Sequence, residues 1–141
     1  MQLPNYIQPK PNWFNFIPIL NQYTANSIYP YIFVPRDIFK NLKSENPDHS
    51  YLALLAHEGT HYKRQRQAGW LKFAIRYLFV PKFRFKEELI AVKVGMKYLK
   101  SNDIPFEFEE KSKKSAKNLY LWPISKNYGK LQLEKLWKEI D

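Results

Sequence analysis

The chain contains no cysteine. That excludes disulfide staples and thiolate metal ligands together, and it leaves the redox compartment open, since a cysteine-free protein is at home inside or outside the cell. Long apolar runs are missing too. None reaches the roughly 18 to 20 residues that span a bilayer, and the stretch from Met1 to Pro11 lacks the charged start and continuous apolar run of a secretory signal. A soluble protein, cytoplasmic or associated with a virion or other assembly, is the expectation. Acidic residues are scarce as well: 13 stand against 23 lysines and arginines, a formal net charge of +10. At 141 residues the chain is one domain, with enough length for a core and no room for a separate specificity domain.

Against these absences stands one dense pentapeptide, His57-Glu58-Gly59-Thr60-His61, an HExxH sequence. Positions four apart sit one above the other on a helix, so the imidazoles of His57 and His61 can share one metal ion. Glu58 then lies beside that metal, placed to take a proton from a water that zinc has made acidic. The surroundings predict a helix of about 20 residues: Pro47-Asp48 starts it, Leu52, Leu54, Leu55 and Ala56 supply a buried face, and Gly69 stops it. The alternative is a buried helix whose histidines satisfy each other or nearby backbone groups.

A catalytic zinc takes three protein ligands and keeps one open position, so a third ligand has to come from elsewhere. The metzincin pattern fails, because Gln67 occupies the third-histidine position and Arg64 the glycine position. His49 precedes His57 by about two turns and reads as a surface or capping residue. A second helix, expected over about residues 83 to 100 after a break at Pro81, carries adjacent candidates in Glu87 and Glu88. On a helix these point about 100° apart, so only one can face the metal.

HExxH followed on the next long helix by Glu88-Leu89-Ile90-Ala91 resembles the gluzincin metallopeptidases. The resemblance covers residues 27 to 100. It implies a His57/His61/Glu88 zinc site with one Zn2+ per chain, Glu88 rather than Glu87 as ligand, and Glu87 on a solvated face or paired with a basic neighbour. It also implies an α+β, zincin-like fold: an active-site helix, a glutamate helix and a small sheet. The segment Ser27–Pro35, aromatic and β-branched with flanking prolines, reads as an edge strand near residues 28–34, along which an extended peptide could add. Val92 stands where the thermolysin-like Glu-x-x-x-Asp phrase has its aspartate, which leaves the hydrogen-bond partners of the histidines open.

The flanks say less. Residues 1–26, rich in proline and carrying Trp13, Phe14, Phe16 and Ile17, read as an extended arm pinned by aromatic anchors on its own domain, with a protein partner as the alternative. Residues 70–80 read as a very apolar helix in which Lys72 and Arg76 share one polar stripe. Connecting the core is the favoured role, and grazing a membrane surface the other. Residues 101–141 read as a closing segment: Pro105–Glu110 is acidic and alternating, Lys111, Lys113, Lys114 and Lys117 follow, and Lys130 to Ile140 has the apolar spacing of a short amphipathic helix that closes the core or docks on a partner.

Lys63, Arg64, Arg66, Lys72, Arg76, Lys82, Arg84 and Lys86 all flank the proposed site. Such a field suits acidic peptide substrates, an anionic cell surface or a wall polymer, while codons of an AT-rich genome account for part of the charge. Nucleic acid is not an expected partner, since no zinc knuckle, RNP motif or basic recognition helix is present. The expected function is hydrolysis of a peptide or related amide bond in a peptide or protein substrate, with Glu58 as general base. Tyr120, Tyr128 and Arg84 are candidate oxyanion or substrate contacts on chemistry alone. The alternative is a structural or assembly subunit, for example of a virion, that keeps a peptidase-like fold without turnover.

Overall fold

The structure, a computed structural model, describes residues 2–17, 20, 24–108 and 126–140. Three short strands come first: β1 (Ile7–Pro9), β2 (Asn26–Ile28) and β3 (Tyr31–Val34), with a 3-10 turn at Asn12–Phe16 between the first two. Helices α1 (Arg36–Leu42), α2 (His49–Ala68), α3 (Trp70–Phe79), α4 (Pro81–Ser101) and α5 (Lys126–Glu139) follow. The class is α+β, with a mixed sheet of order β1-β3-β2 in which β3 is parallel to β1 and antiparallel to β2.

The residues expected to form one edge strand instead form a hairpin. Tyr29-Pro30 occupies its turn, and Pro35 lies outside the strand as the N-cap of α1. β3 is thus the central strand, and of the two hairpin strands only β2 is an edge. Neither proline interrupts the ladder, which removes the reason for reading the whole segment as an edge. The arm of residues 1–26 is also more than an aromatic tether. Its Ile7, Gln8 and Pro9 pair with Ile32, Phe33 and Val34. Ile7, Ile32, Val34, Ile38 and Leu42 are buried together, each contributing about 2 kcal/mol of apolar transfer free energy. Phe14 is buried with its ring 4.9 Å from that of Phe33, whereas Trp13 and Phe16 are exposed.

Helix α2 begins and ends where the sequence puts it. Asp48 caps it by accepting the Ser50 N–H at 2.8 Å, and Gly69 leaves it with φ 84°, a conformation glycine adopts at little cost. Its buried face differs from expectation: Leu52, Leu54, Leu55 and Ala56 are half-buried, and Ala53, His57, Glu58, His61 and Gln65 are buried. The fully packed stripe of the central helix is therefore largely polar. Helix α4 crosses this stripe through small residues. A methyl group at Gly95 would come within 3.2 Å of the Ala53 carbonyl oxygen and 3.8 Å of His57 Cβ. The close approach at Ala53 and Gly95 brings side chains further along both helices within reach of one another.

Pro81 is the first residue of α4, where its missing N–H leaves no helical bond unmade. Helix α5 closes the far side of α4: Leu133 and Ile140 are buried against Val92 and Met96, with Phe106, Phe108 and Trp137 packed around them. The helix expected over Lys130 to Ile140 spans Lys126–Glu139. The connecting helix α3 departs from expectation. Of its apolar residues only Phe73 is buried; Trp70, Leu71, Ile75, Leu78 and Phe79 are exposed. No helix among the described residues is long and apolar enough to cross a membrane.

Candidate metal centre

Helix periodicity places His57 and His61 one turn apart on the buried stripe of α2, their rings edge to face with centroids 4.9 Å apart. Glu88 reaches them from α4. Its Oε2 lies 3.5 Å from His57 Nε2 and its Oε1 3.1 Å from His61 Nε2. One donor atom from each of the three residues lies within 4.8 Å of the others. Both histidines are buried, while the Glu88 side chain keeps 28% of its surface exposed, which gives an ion a way in.

The donor set fits a divalent cation. His61 Nε2 is buried and makes no hydrogen bond, although the Glu88 carboxylate is beside it. The two atoms converge without being aligned on each other, as donors sharing a cation do. Two imidazoles and a carboxylate are the ligand types that zinc takes in open sites. Charge agrees as well. Burial opposes ionisation of Glu88, yet His57 and His61 hold its carboxyl well below the usual carboxylate range. Burial disfavours a charged His61, and the Glu88 carboxylate outweighs it, raising the histidine above its ordinary value.

Other side chains hold these donors in place. The Tyr77 hydroxyl, from α3, donates to Glu88 Oε1. Burial and then the Glu88 charge push the Tyr77 phenol far above its ordinary pKa, so it stays a donor. Phe73 and Phe83 fix that ring: Phe73 stacks on Tyr77 at 5.8 Å and meets Phe83 edge-on at 5.3 Å. Glu58 is buried on α2, and the Ser27 hydroxyl of β2 lies 2.8 Å from its Oε2 and 2.7 Å from its carbonyl oxygen. A hydroxyl has one proton, so it serves these two acceptors in turn. Lys10 is buried as well; burial lowers its ammonium to about 8, and attraction to Glu58 offsets part of that fall.

Gln65, one turn beyond His61 on the same stripe, ties β2 to α2. Its amide nitrogen donates to the Ser27 carbonyl and its oxygen accepts the Tyr29 N–H, both at 2.8 Å. This two-point bond engages backbone groups that an added peptide strand would use, so the edge at Ser27 and Tyr29 is already satisfied. Peptide addition there, as the sequence suggested, would have to displace Gln65.

The adjacent glutamates separate cleanly. Glu87 is 1% exposed and receives Arg64 Nη2 at 2.8 Å, with Arg64 Nε on its other oxygen. It pairs with a basic neighbour, and the solvated face offered as the alternative does not occur. His49 stands at the start of α2 with Nδ1 2.9 Å from the Tyr98 hydroxyl. Of the three proposed substrate contacts, Tyr120 lies outside the described residues. Tyr128 is exposed with its ring 6.1 Å from that of Phe85. Arg84 is packed against the site's residues: it is 8% exposed, its guanidinium lies 5.9 Å from the Tyr77 ring centre, and its Nε and Nη2 are buried without hydrogen-bond partners among the described residues.

Sequence reasoning missed Ser27, Gln65, Tyr77 and Lys10. Gln65 had a signal, since 57, 61 and 65 continue one helical stripe. The others reach the site across the fold and had none. No protein-family model, curated protein or solved structure matches the chain. The functional reading rests on the geometry of these side chains.

Proposed function

We propose that the chain is a zinc metallopeptidase of gluzincin type that hydrolyses peptide or related amide bonds. The observation that carries this reading is the convergence of His57, His61 and Glu88 with a buried carboxylate, Glu58, next to the first ligand in sequence and held by Ser27. His57, His61 and Glu88 would hold the ion. Zinc bound there supplies Lewis acidity, polarising the scissile carbonyl and drawing the pKa of water down to about 7.

The chain's own residues do the rest. Glu58 accepts the proton of the attacking water as its oxygen bonds to the carbonyl carbon, then returns that proton to the leaving nitrogen as the C–N bond breaks. The products are a carboxylic acid and an amine. Ser27 sets the rotamer of Glu58, and Tyr77 fixes Glu88. Arg84, with guanidinium donors left over, is the group we assign to the substrate carbonyl oxygen. The assembly-subunit alternative gives no role to Glu58, because a purely structural ion needs no base beside it and is closed by four protein ligands.

Metal analysis by mass spectrometry on protein purified without added metal tests the site. Wild type should carry about one zinc per chain, Glu88→Ala should lose it, and Glu58→Gln should keep it. Against a quenched peptide library, Glu58→Gln should lose about a thousandfold in rate. A well-folded, metal-free wild type would sink the proposal, and so would undiminished cleavage by Glu58→Gln.

A further inference from the structure

Helix α3 presents an apolar face with no partner among the described residues. Leu71, Ile75, Leu78 and Phe79 are all exposed, Phe79 to 77%. At about 100° per residue, Leu71, Ile75 and Leu78 share one side of the helix, opposite the side from which Phe73 and Tyr77 enter the site. Lys72 and Arg76 lie along one border of this apolar face, and Lys82 follows just beyond its end. Monomeric proteins rarely leave so many large apolar side chains side by side on one element unless something covers them.

We infer that the outer face of α3 docks on an anionic phospholipid bilayer. The helix is only ten residues long, so it lies in the interface rather than crossing it. Its large apolar side chains would enter the acyl boundary while Lys72 and Lys82 stay level with the headgroups. Charge complementarity selects lipid over a second copy of the chain. A two-fold dimer with antiparallel α3 helices would set Lys72, Arg76 and Lys82 of one copy near the cations of the other, in a protein that already carries a net charge of +10. Anionic headgroups instead meet those cations with the opposite sign. Docked this way, α3 stands between the bilayer and the His57/His61/Glu88 cluster, about one helix diameter, some 10 Å, from the lipid. The inference holds whether or not metal is bound.

Co-sedimentation of the full chain with phosphatidylcholine vesicles, with and without about one quarter phosphatidylglycerol, tests it. Wild type should partition at least about tenfold better onto the anionic vesicles, and this preference should fall at high salt. Leu71→Glu/Phe79→Glu and Lys72→Glu/Lys82→Glu should each weaken binding about tenfold or more with the thermal midpoint unchanged, because all four side chains are exposed. Wild type that stays in the supernatant with both vesicle types would overturn the inference, as would binding that neither double variant alters. Light scattering gives a further arm: a wild-type dimer that Leu71→Glu/Phe79→Glu dissociates would mean that a second copy covers the face.

Discussion

Helices α2 and α3, separated by Gly69 alone, treat water in opposite ways. The packed stripe of α2 is made of His57, Glu58, His61 and Gln65, while the outward face of α3 is made of Leu71, Ile75, Leu78 and Phe79. Folding stability argues for the reverse arrangement, since buried polar groups cost free energy unless they are paired and exposed apolar ones forgo what burial would give. Each inversion therefore marks a place where sequence serves something besides the core. On α2 the polar groups face groups of the same chain: Glu58 bonds to Ser27, Gln65 to the backbone of β2, and both histidines lie within 3.5 Å of the Glu88 carboxylate, His61 without a hydrogen bond. On α3 nothing in the described chain answers the apolar groups. The polar stripe of α2 is thus met largely by its own chain, whereas the apolar stripe of α3 meets no partner among the described residues.

The largest effect on this contrast should come from stranding a buried charge. Arg64 keeps 38% of its side chain exposed, but its partner Glu87 keeps 1%, so removing the arginine leaves a carboxylate in the interior with nothing opposite. Arg64→Ala should lower stability by about 3 kcal/mol, read from denaturant unfolding. Adding Glu87→Leu should recover much of that loss, because an apolar pair spares the desolvation of both charges. Zinc content per folded chain should stay at the wild-type level in both. A loss of zinc from these variants would give the proposed ligand role to Glu87 and dissolve the division between a glutamate paired with Arg64 and one beside the histidines.

That division was half legible in the sequence. Adjacent positions on a helix cannot face the same ion, so one glutamate had to point elsewhere, and Glu88-Leu89-Ile90-Ala91 indicated which. The bounds of α2 were equally open to reading, because an N-cap and a C-terminal glycine are local chemistry. The hairpin was not: a proline in a tight turn and a proline on an edge strand look alike until the pairing partner is known. Helix α1 was missed altogether, and β1 was read only as part of an extended arm because its pairing partner lies more than twenty residues away. The apolar composition of α3 was plain, yet its exposure was not, since Phe73 and Leu71 are equally apolar and only packing tells them apart.

Lys10 sharpens the polar side of the comparison through pH. Folding lowers its pKa from 10.5 to about 8, burial outweighing the pull of Glu58. Below pH 8 both folded and unfolded chains hold the proton, and the folded chain bears the full penalty of a buried ammonium. Between about 8 and 10.5 the folded chain releases its proton first. The unfolded chain then binds more protons, and stability rises with pH across that window. Lys10→Met removes the titration, so its stability advantage over wild type should shrink from pH 7 to pH 9.5 in parallel denaturant titrations. A difference that stays flat would mean that Lys10 is solvated in both states and does not belong to the buried polar set.

The smallest effect is expected on the outer face of α3, and its smallness is what matters. Ile75→Gln replaces a side chain 52% exposed, and should change stability by no more than about 0.5 kcal/mol. Phe73→Ala, two residues earlier on the same helix, empties a site 3% exposed and should cost about 3 kcal/mol, with Tyr77 loosened over Glu88 as a result. The ratio between the two measures how far α3 is one-sided in solution. If Ile75→Gln cost as much as Phe73→Ala, some part of the molecule would already cover that face. α3 would then be an ordinary core helix, leaving α2 alone in breaking the pattern and no apolar surface to offer a membrane.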